Sequence, residues 1–440
     1  MSFAKQLSND GLQGSACDLT QRTSPSRWHR VLPLIGVLSV SLGGLPLTAC
    51  HETITLSDAA PFTVEMTASS GDFGSPTDLL PTSQGDGEWV SRTYTFHVRI
   101  LRPSGVVDTT FGRKLHARVL PGRVEGDAYF PLAGGEGDIS VTVSHIFGET
   151  RIWLEDVGDE EGTDSDVASF ATGVSDIIYV QMPTIPNIQY VPEGDTCLSY
   201  VGTTLDGYEC AALSSNFVRV RSDDRLLVVT ATTTDGFFVS DCTEGIGFDE
   251  PCDGANGHYN SIFAFNYSAP KGLFAGAILQ SLSGNVTEFN GSTQLSFPEW
   301  ILEPGIQVTP PQPQVFDEQI YCPPEDGFAQ EPYESDLVRM ERLVVKDFKN
   351  DSNDMSSYNR FGQWPAIFQD TVSNIPCEVA VVTRKTFPSF DPLANPGLEL
   401  DFVQGNLTTY ASVYSDVIQW TLLTRAPEDL GCSGGTCPTN

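Results

Sequence analysis

The ten cysteines are the residues of this 440-residue chain with the most chemistry to offer. A thiol can oxidise to a disulfide, bind zinc as a thiolate, or attack an electrophilic carbon. Cys17 and Cys50 stand apart from the rest. The other eight fall as neighbours: Cys197 and Cys210, Cys242 and Cys252, Cys322 and Cys377, Cys432 and Cys437. Zinc sites favour close pairs, such as two cysteines separated by two residues, and no such pair is present. The even count therefore reads as disulfides between sequence neighbours, in an oxidising compartment. The histidines add little. His51, His97, His116, His145 and His258 follow Cys50 at no metal-ligand spacing, and neither H-E-x-x-H nor G-x-S-x-G occurs. Carboxylates are abundant, but nothing singles out an acid/base pair. No catalytic residue, metal site or cofactor is expected, and an unrecognised secreted hydrolase ranks below the binding readings.

Cys50 has its own context. Residues 1–30 are polar and carry Lys5, Arg22, Arg27 and Arg30; Val31 to Leu47 then runs without a charge and ends in Leu47-Thr48-Ala49-Cys50. A basic segment, an apolar segment and small residues before a cut form a secretory signal. Pro33, Gly36, Gly43, Gly44 and Pro46 interrupt the apolar run, which is short for a membrane span. The polar segment is long for such signals, as it would be with a start site placed too early. The Leu-Thr-Ala-Cys ending resembles the lipobox of bacterial lipoproteins. That resemblance implies a signal peptide over 1–49, a diacylglyceryl thioether on the Cys50 thiol and membrane attachment through it. His51 stands where an Asp resembles an inner-membrane retention signal, so outer-membrane placement is expected.

The acidic total narrows the partners. Fifty-seven acidic residues against 24 basic ones give a net charge of −33. Such a surface repels phosphate backbones and anionic headgroups. Charged residues are only 18% of the chain, with 40 Gly and 29 Pro, a turn-rich balance that suits β-sandwiches and barrels. The run Gly158 to Asp166 (GDEEGTDSD) lacks the alternating loop and distal Glu of an EF-hand and reads as a solvated loop.

The elements that carry these residues have the period of strands. In Thr93 to Ile100, apolar Tyr94, Phe96, Val98 and Ile100 alternate with polar neighbours. Ile139 to Val143 and Arg151 to Leu154 repeat the pattern between Gly-rich turns. The order of these features resembles the Ig-like modules of bacterial surface proteins, which implies a β-sandwich over 50–190.

Beyond it the chain repeats itself. Phe217-Val-Arg-Val220 matches Leu337-Val-Arg-Met340, Leu282 to Phe289 matches Val403 to Tyr410, and Trp300-Ile-Leu302 matches Trp420-Thr-Leu422, each about 120 residues apart. This predicts two copies, over 191–303 and 317–431, joined by a Pro-rich linker over 304–316 and followed by a tail over 432–440. In the first copy Phe217 to Val220, Leu226 to Thr232, Gly236 to Asp241 and Ser261 to Tyr267 read as strands, followed by a long run from Ala277 to Phe297. Gly284 inside that run predicts a bulge or sharp bend. Asp235-Gly-Phe-Phe-Val-Ser-Asp241, Ser261-Ile-Phe-Ala-Phe265, Gly276, Leu282-Ser-Gly-Asn-Val286 and Thr293-Gln-Leu295 together resemble the OB-fold-like modules that accompany bacterial extracellular nucleases. The resemblance covers about 212–303 and, more faintly, 333–430; the catalytic domain of those proteins is absent. The fold expected is all-β: an Ig-like sandwich followed by two OB-like small barrels.

OB folds bind single strands with exposed aromatics and a basic groove. Phe238, Phe263, Phe265 and Tyr267 can form such a platform, or can fill the barrel, as their alternation also allows. Arg219, Arg221, Arg225 and Lys271 are outnumbered by the carboxylates of the first copy, which argues against nucleic acid. The reading that follows is a lipid-anchored, non-catalytic envelope protein that presents β-domains to an envelope protein or glycan. An accessory nucleic-acid binder is the alternative.

Overall fold

The computed structural model describes residues 63–84, 87–156, 171–190, 213, 216–221, 226–242, 259–289, 291–316, 321, 327–369, 377–411 and 418–439. The segment 1–49, Cys50 and the acidic run 158–166 lie outside the described residues.

The chain is mostly β. Its first part forms two antiparallel sheets. One is ordered β1-β2-β6-β4, from β1 (Thr63–Ser70), β2 (Arg92–Leu101), β4 (Arg123–Val124) and β6 (Glu136–Ser144). The other is ordered β5-β3-β7-β8, from β3 (Lys114–Leu120), β5 (Tyr129–Pro131), β7 (Gly148–Asp156) and β8 (Ala171–Val174), with β9 (Ile178–Val180) also on β7. The alternation read in β2 is real: Tyr94, Phe96, Val98 and Ile100 are fully buried, while the residues between them are half-buried or exposed. They share one core with Leu115 and Ala117 of β3 and Ile152 and Leu154 of β7, so the two sheets close on each other. A short helix, α1 (Ile185–Gln189), follows. Thr184 caps it in a reciprocal capping box with Asn187. Its Ile185 and Ile188 enter the core of the next unit, and Gln189 Nε2 donates to the Ser261 carbonyl at 2.6 Å.

Two closed five-stranded barrels make up the rest of the described residues. The first has β10 (Phe217–Arg221), β11 (Leu226–Thr232), β12 (Gly236–Cys242), β13 (Ser261–Phe265), β14 (Ala277–Phe289) and β15 (Ser292–Gln307). The ring runs β11-β12-β13-β15-β14 and closes from β14 to β11; β13 and β15 are parallel, and β10 pairs on β14. The second has β16 (Gln314–Phe316), β17 (Leu337–Val345), β18 (Gln363–Phe368), β19 (Glu378–Val382), β20 (Glu399–Ala411), β21 (Ile418–Leu423) and β22 (Leu430–Cys432), with α2 (Ser352–Phe361) before β18. Its ring runs β17-β18-β19-β21-β20 and closes from β20 to β17, with β19 and β21 parallel. Numbered within each barrel, both rings follow the order 1-2-3-5-4-1.

The repeat is visible in the pairing. Val218 pairs with Gly284 and Val338 with Gly405; Phe217 pairs with Asn285 and Leu337 with Asn406. The third sequence match does not superpose. Asn285 pairs with Ser296 and Asn406 with Leu423, so the counterpart of Trp420 is Thr293, and Trp300 pairs instead with Leu282. Asn285 and Ser296 are 11 positions apart and Asn406 and Leu423 are 17, so the longer second hairpin carries Trp420 out of step with Trp300. The run from Ala277 to Phe297 is a hairpin of β14 and β15 rather than one strand. Gly284 does sit at an irregularity: the register shifts between Ser283 and Asn285, opposite Phe297 and Pro298. The stretch read as a linker contributes strand at both ends, since β15 runs through Pro304 and β16 pairs with β17.

Candidate functional site in the cleft between the barrels

On β12 and β13 consecutive side chains point to opposite sides of the sheet. Phe237, Ile262 and Ala264 point into the first barrel and belong to its core. Phe238, Phe263 and Phe265 therefore lie on the outer surface, which answers the question left open by their alternation. They form a row: Phe238 to Phe263 at 4.7 Å between ring centroids, Phe263 to Phe265 at 6.4 Å, Phe265 to Tyr267 at 4.3 Å and Tyr267 to Phe297 at 5.0 Å. The row runs from depth to surface. Phe238 is 2% exposed, whereas Tyr267 is 61% and Phe297 63% exposed. Tyr267 lies just past β13 with φ +59°, and Phe297 is in the bulge opposite Gly284 with φ +53°. Bulges re-aim side chains, and this one brings Phe297 against Tyr267.

From Phe238 to Tyr267 the row is one wall of a cleft of about 730 Å³. The second barrel supplies the other wall: Arg360 and Phe361 at the end of α2, Gln363 of β18, Val382 of β19, Arg384 and Lys385 beyond it, and Thr408, Thr409, Thr421 and Leu423 of β20 and β21. The three cations are notable in a chain of net charge −33. Each is placed by local structure. Asp351 caps α2 by accepting from the Asn353 and Asp354 N–H groups, and Gly362 ends it in the left-handed conformation at φ +75°. A Cβ on Gly362 would lie 2.6 Å from Arg384 Cβ, so glycine allows the close approach. Arg384 donates to the Tyr358 carbonyl at 2.6 Å and the Asn359 carbonyl at 3.0 Å, and lies 5.1 Å from the Tyr358 ring centre. It thus satisfies two end carbonyls of α2 and sits at the negative end of its dipole. Lys385 crosses the cleft to Asp235 at 3.0 Å.

Hydroxyls and amides complete the lining. Thr287 and Ser296 share a hydrogen bond of 2.8 Å, and Gln363 Nε2 donates to Thr421 Oγ1 at 3.3 Å. Ser292 lies at the seam of the barrels and donates to Glu334 Oε1 at 2.8 Å. Glu334 is buried, and its Oε2 has no hydrogen-bond partner among the described residues. Burial, reinforced by the carboxylates of Glu331 and Glu288, holds its carboxyl well above the usual carboxylate range. A further seam bond runs from Asn406 Nδ2 to Thr230 Oγ1 at 3.3 Å.

All four aromatics named from sequence thus share one wall. Sequence reasoning missed Arg360, Arg384 and Lys385, because it weighed the charge of the first copy alone; the adjacent Arg384-Lys385 pair was the available signal. Of the cysteines, Cys432 and Cys437 form a disulfide, and Cys242 and Cys377 are each disulfide-bonded. Cys197, Cys210, Cys252 and Cys322 lie outside the described residues, as do His51 and His258. His97 bonds Asp138 and Glu136, which raise its pKa. His116 stacks on Tyr129, and His145 stacks on Trp89 with its pKa lowered to about 4 by burial. Among the described residues no group of His, Cys, Asp and Glu is placed to hold a metal ion.

No protein-family model matches this sequence, and neither a curated protein nor a solved structure matches it significantly. A functional reading therefore rests on the cleft.

Proposed function

We propose that this chain is an exported, lipid-anchored and non-catalytic envelope protein that holds a ligand or partner in the cleft between two OB-like barrels. The observation that carries this reading is the aromatic row facing Arg360, Arg384 and Lys385. A concave site of some hundreds of Å³, mostly apolar and with a few convergent polar groups, is the usual form of a ligand site. The ring order 1-2-3-5-4-1 with a parallel third and fifth strand supports the OB-like reading, and the row lies on strands two and three, the face such folds use for ligands. The two sheets of the N-terminal part support an Ig-like spacer between membrane and barrels. Leu47-Thr48-Ala49-Cys50 supports the lipid anchor, and His51 after it supports outer-membrane placement.

Two tests address the two halves of this reading. Cys50→Ala should abolish labelling by a radioactive fatty acid; label retained by the variant refutes the anchor. Envelope extract passed over immobilised protein should leave material that Tyr267→Ala, exposed at the cleft mouth, fails to retain. Equal retention by the variant refutes the cleft as the site. A second reading, accessory binding of single-stranded nucleic acid, is favoured by the same pairing of cations and aromatics. It requires affinity that falls steeply as salt rises.

A further inference from the structure

Building on the cleft reading, we infer that the ligand is an acidic oligosaccharide: mostly neutral sugar rings with sparse carboxylates. Three features of the cleft carry this.

The first is the shape of the aromatic wall. Neighbouring rings from Phe238 to Tyr267 lie at centroid distances of 4.3 to 6.4 Å and tilt by 40° to 52° against one another. No gap remains between them for a flat base to enter with both faces covered. What the cleft offers is a continuous corrugated apolar wall. The C–H faces of puckered sugar rings pack on such a wall over several units, as they need no parallel platform.

The second is the lining chemistry. Thr233, Thr287, Gln294, Ser296, Thr408 and Thr409 bring uncharged donors and acceptors beside the rings. Sugar hydroxyls are both donor and acceptor and match groups of this kind. Neutral polar groups beside and across from an apolar wall suit a ligand whose edge is polar and whose face is apolar.

The third is the charge balance. Arg360, Arg384 and Lys385 face Asp235 and Glu288 within the cleft. Arg384 is held by the end of α2 and Lys385 by Asp235. Three cations against two carboxylates leave the cleft a small formal excess of positive charge, which suits isolated carboxylates better than a polyanion. A nucleic acid carries a charge on every residue, and beyond the cleft it would run onto a surface of a −33 chain. Screening at physiological salt, with a Debye length of about 8 Å, does not hide repulsion at such contacts.

The test is calorimetric titration of the full chain with four probes at one ionic strength. These are an octasaccharide alternating neutral sugar and uronate, its carboxyl-reduced neutral form, a uronate homo-oligomer, and a single-stranded oligonucleotide of similar length. The alternating octasaccharide is expected to bind, the reduced form at least tenfold more weakly, and the oligonucleotide not at all. Lys385→Ala should weaken the octasaccharide about tenfold without changing the weak affinity of the reduced form, and Tyr267→Ala should weaken both. Binding of the oligonucleotide in preference overturns the inference and leaves the cleft reading standing. Equal binding of the acidic and reduced forms overturns the role of charge. Failure of both uronate probes, while Tyr267→Ala still loses envelope material, overturns the ligand class alone. If Tyr267→Ala loses nothing, the cleft reading fails with it.

Discussion

Replacing Glu334 by Gln should stabilise the protein, and by more as the pH rises. Glu334 sits at the seam of the two barrels, buried, with one oxygen accepting from Ser292 and the carboxylates of Glu331 and Glu288 nearby. Burial and like charge both favour its protonated form, so its folded pKa lies well above the ordinary 4.5. The native state then binds more protons than the unfolded one. The stabilising contribution is complete below about pH 4.5 and is lost as pH rises through the folded pKa. The slope is at most about 1.4 kcal/mol per pH unit. Glutamine keeps an acceptor for Ser292 and removes the titration. The gain of Glu334→Gln over the parent should therefore grow as the pH rises above about 5, no faster than that slope. The assay is urea denaturation followed by tryptophan fluorescence, since Trp420 is buried in the second barrel. Midpoints would be compared at constant m-value. Parallel pH profiles for parent and variant would refute the reasoning, because they would mean that Glu334 ionises in the folded state as it does unfolded. A constant loss at every pH would show instead that the acid itself makes a bond that the amide cannot replace.

Other expectations follow from single contacts. The Lys385–Asp235 pair is about 40% exposed on both sides, so a double-mutant cycle should give a coupling of only about 0.2–1 kcal/mol. A much larger value would make the pair a structural clamp rather than a part of the cleft that ligand can engage. His145, packed on Trp89, should titrate in an NMR experiment with a midpoint near 4. Stability should fall with it as pH drops below about 6.5, where the unfolded imidazole takes up a proton that the folded one refuses. A midpoint at or above 6.5 would contradict its burial. The Cys432–Cys437 disulfide closes a very short loop, so replacing both by Ser should cost no more than about 2 kcal/mol. A loss well beyond that in a melting experiment would mean that the bridge holds β22 in place and does more than restrain the unfolded chain.

Much of the fold was legible because strands announce themselves locally. A period of two is a property of neighbouring residues, so Tyr94, Phe96, Val98 and Ile100 marked β2 before any partner was known. The duplication was legible for the same reason where Gly284-Asn285 and Gly405-Asn406 recur at equivalent pairing positions. It misled at Trp300 and Trp420, because equal spacing in sequence takes no account of the longer second hairpin, 17 positions from Asn406 to Leu423 against 11 from Asn285 to Ser296.

The cleft was half legible. The sequence determined that Phe263 and Phe265 share a side of β13, since alternation alone requires it; the pairing of Phe238 with Phe263 added the third ring. The sequence could not determine which side, because Phe237, Ile262 and Ala264 make the opposite face just as apolar. Only closure of the ring, with β14 on β11 and β15 on β13, decided which face became core and which became wall. Only the seating of one barrel on the other decided that Arg384 and Lys385 would face those rings. They lie more than a hundred residues away, and no local pattern carries a contact made by two separately closed barrels.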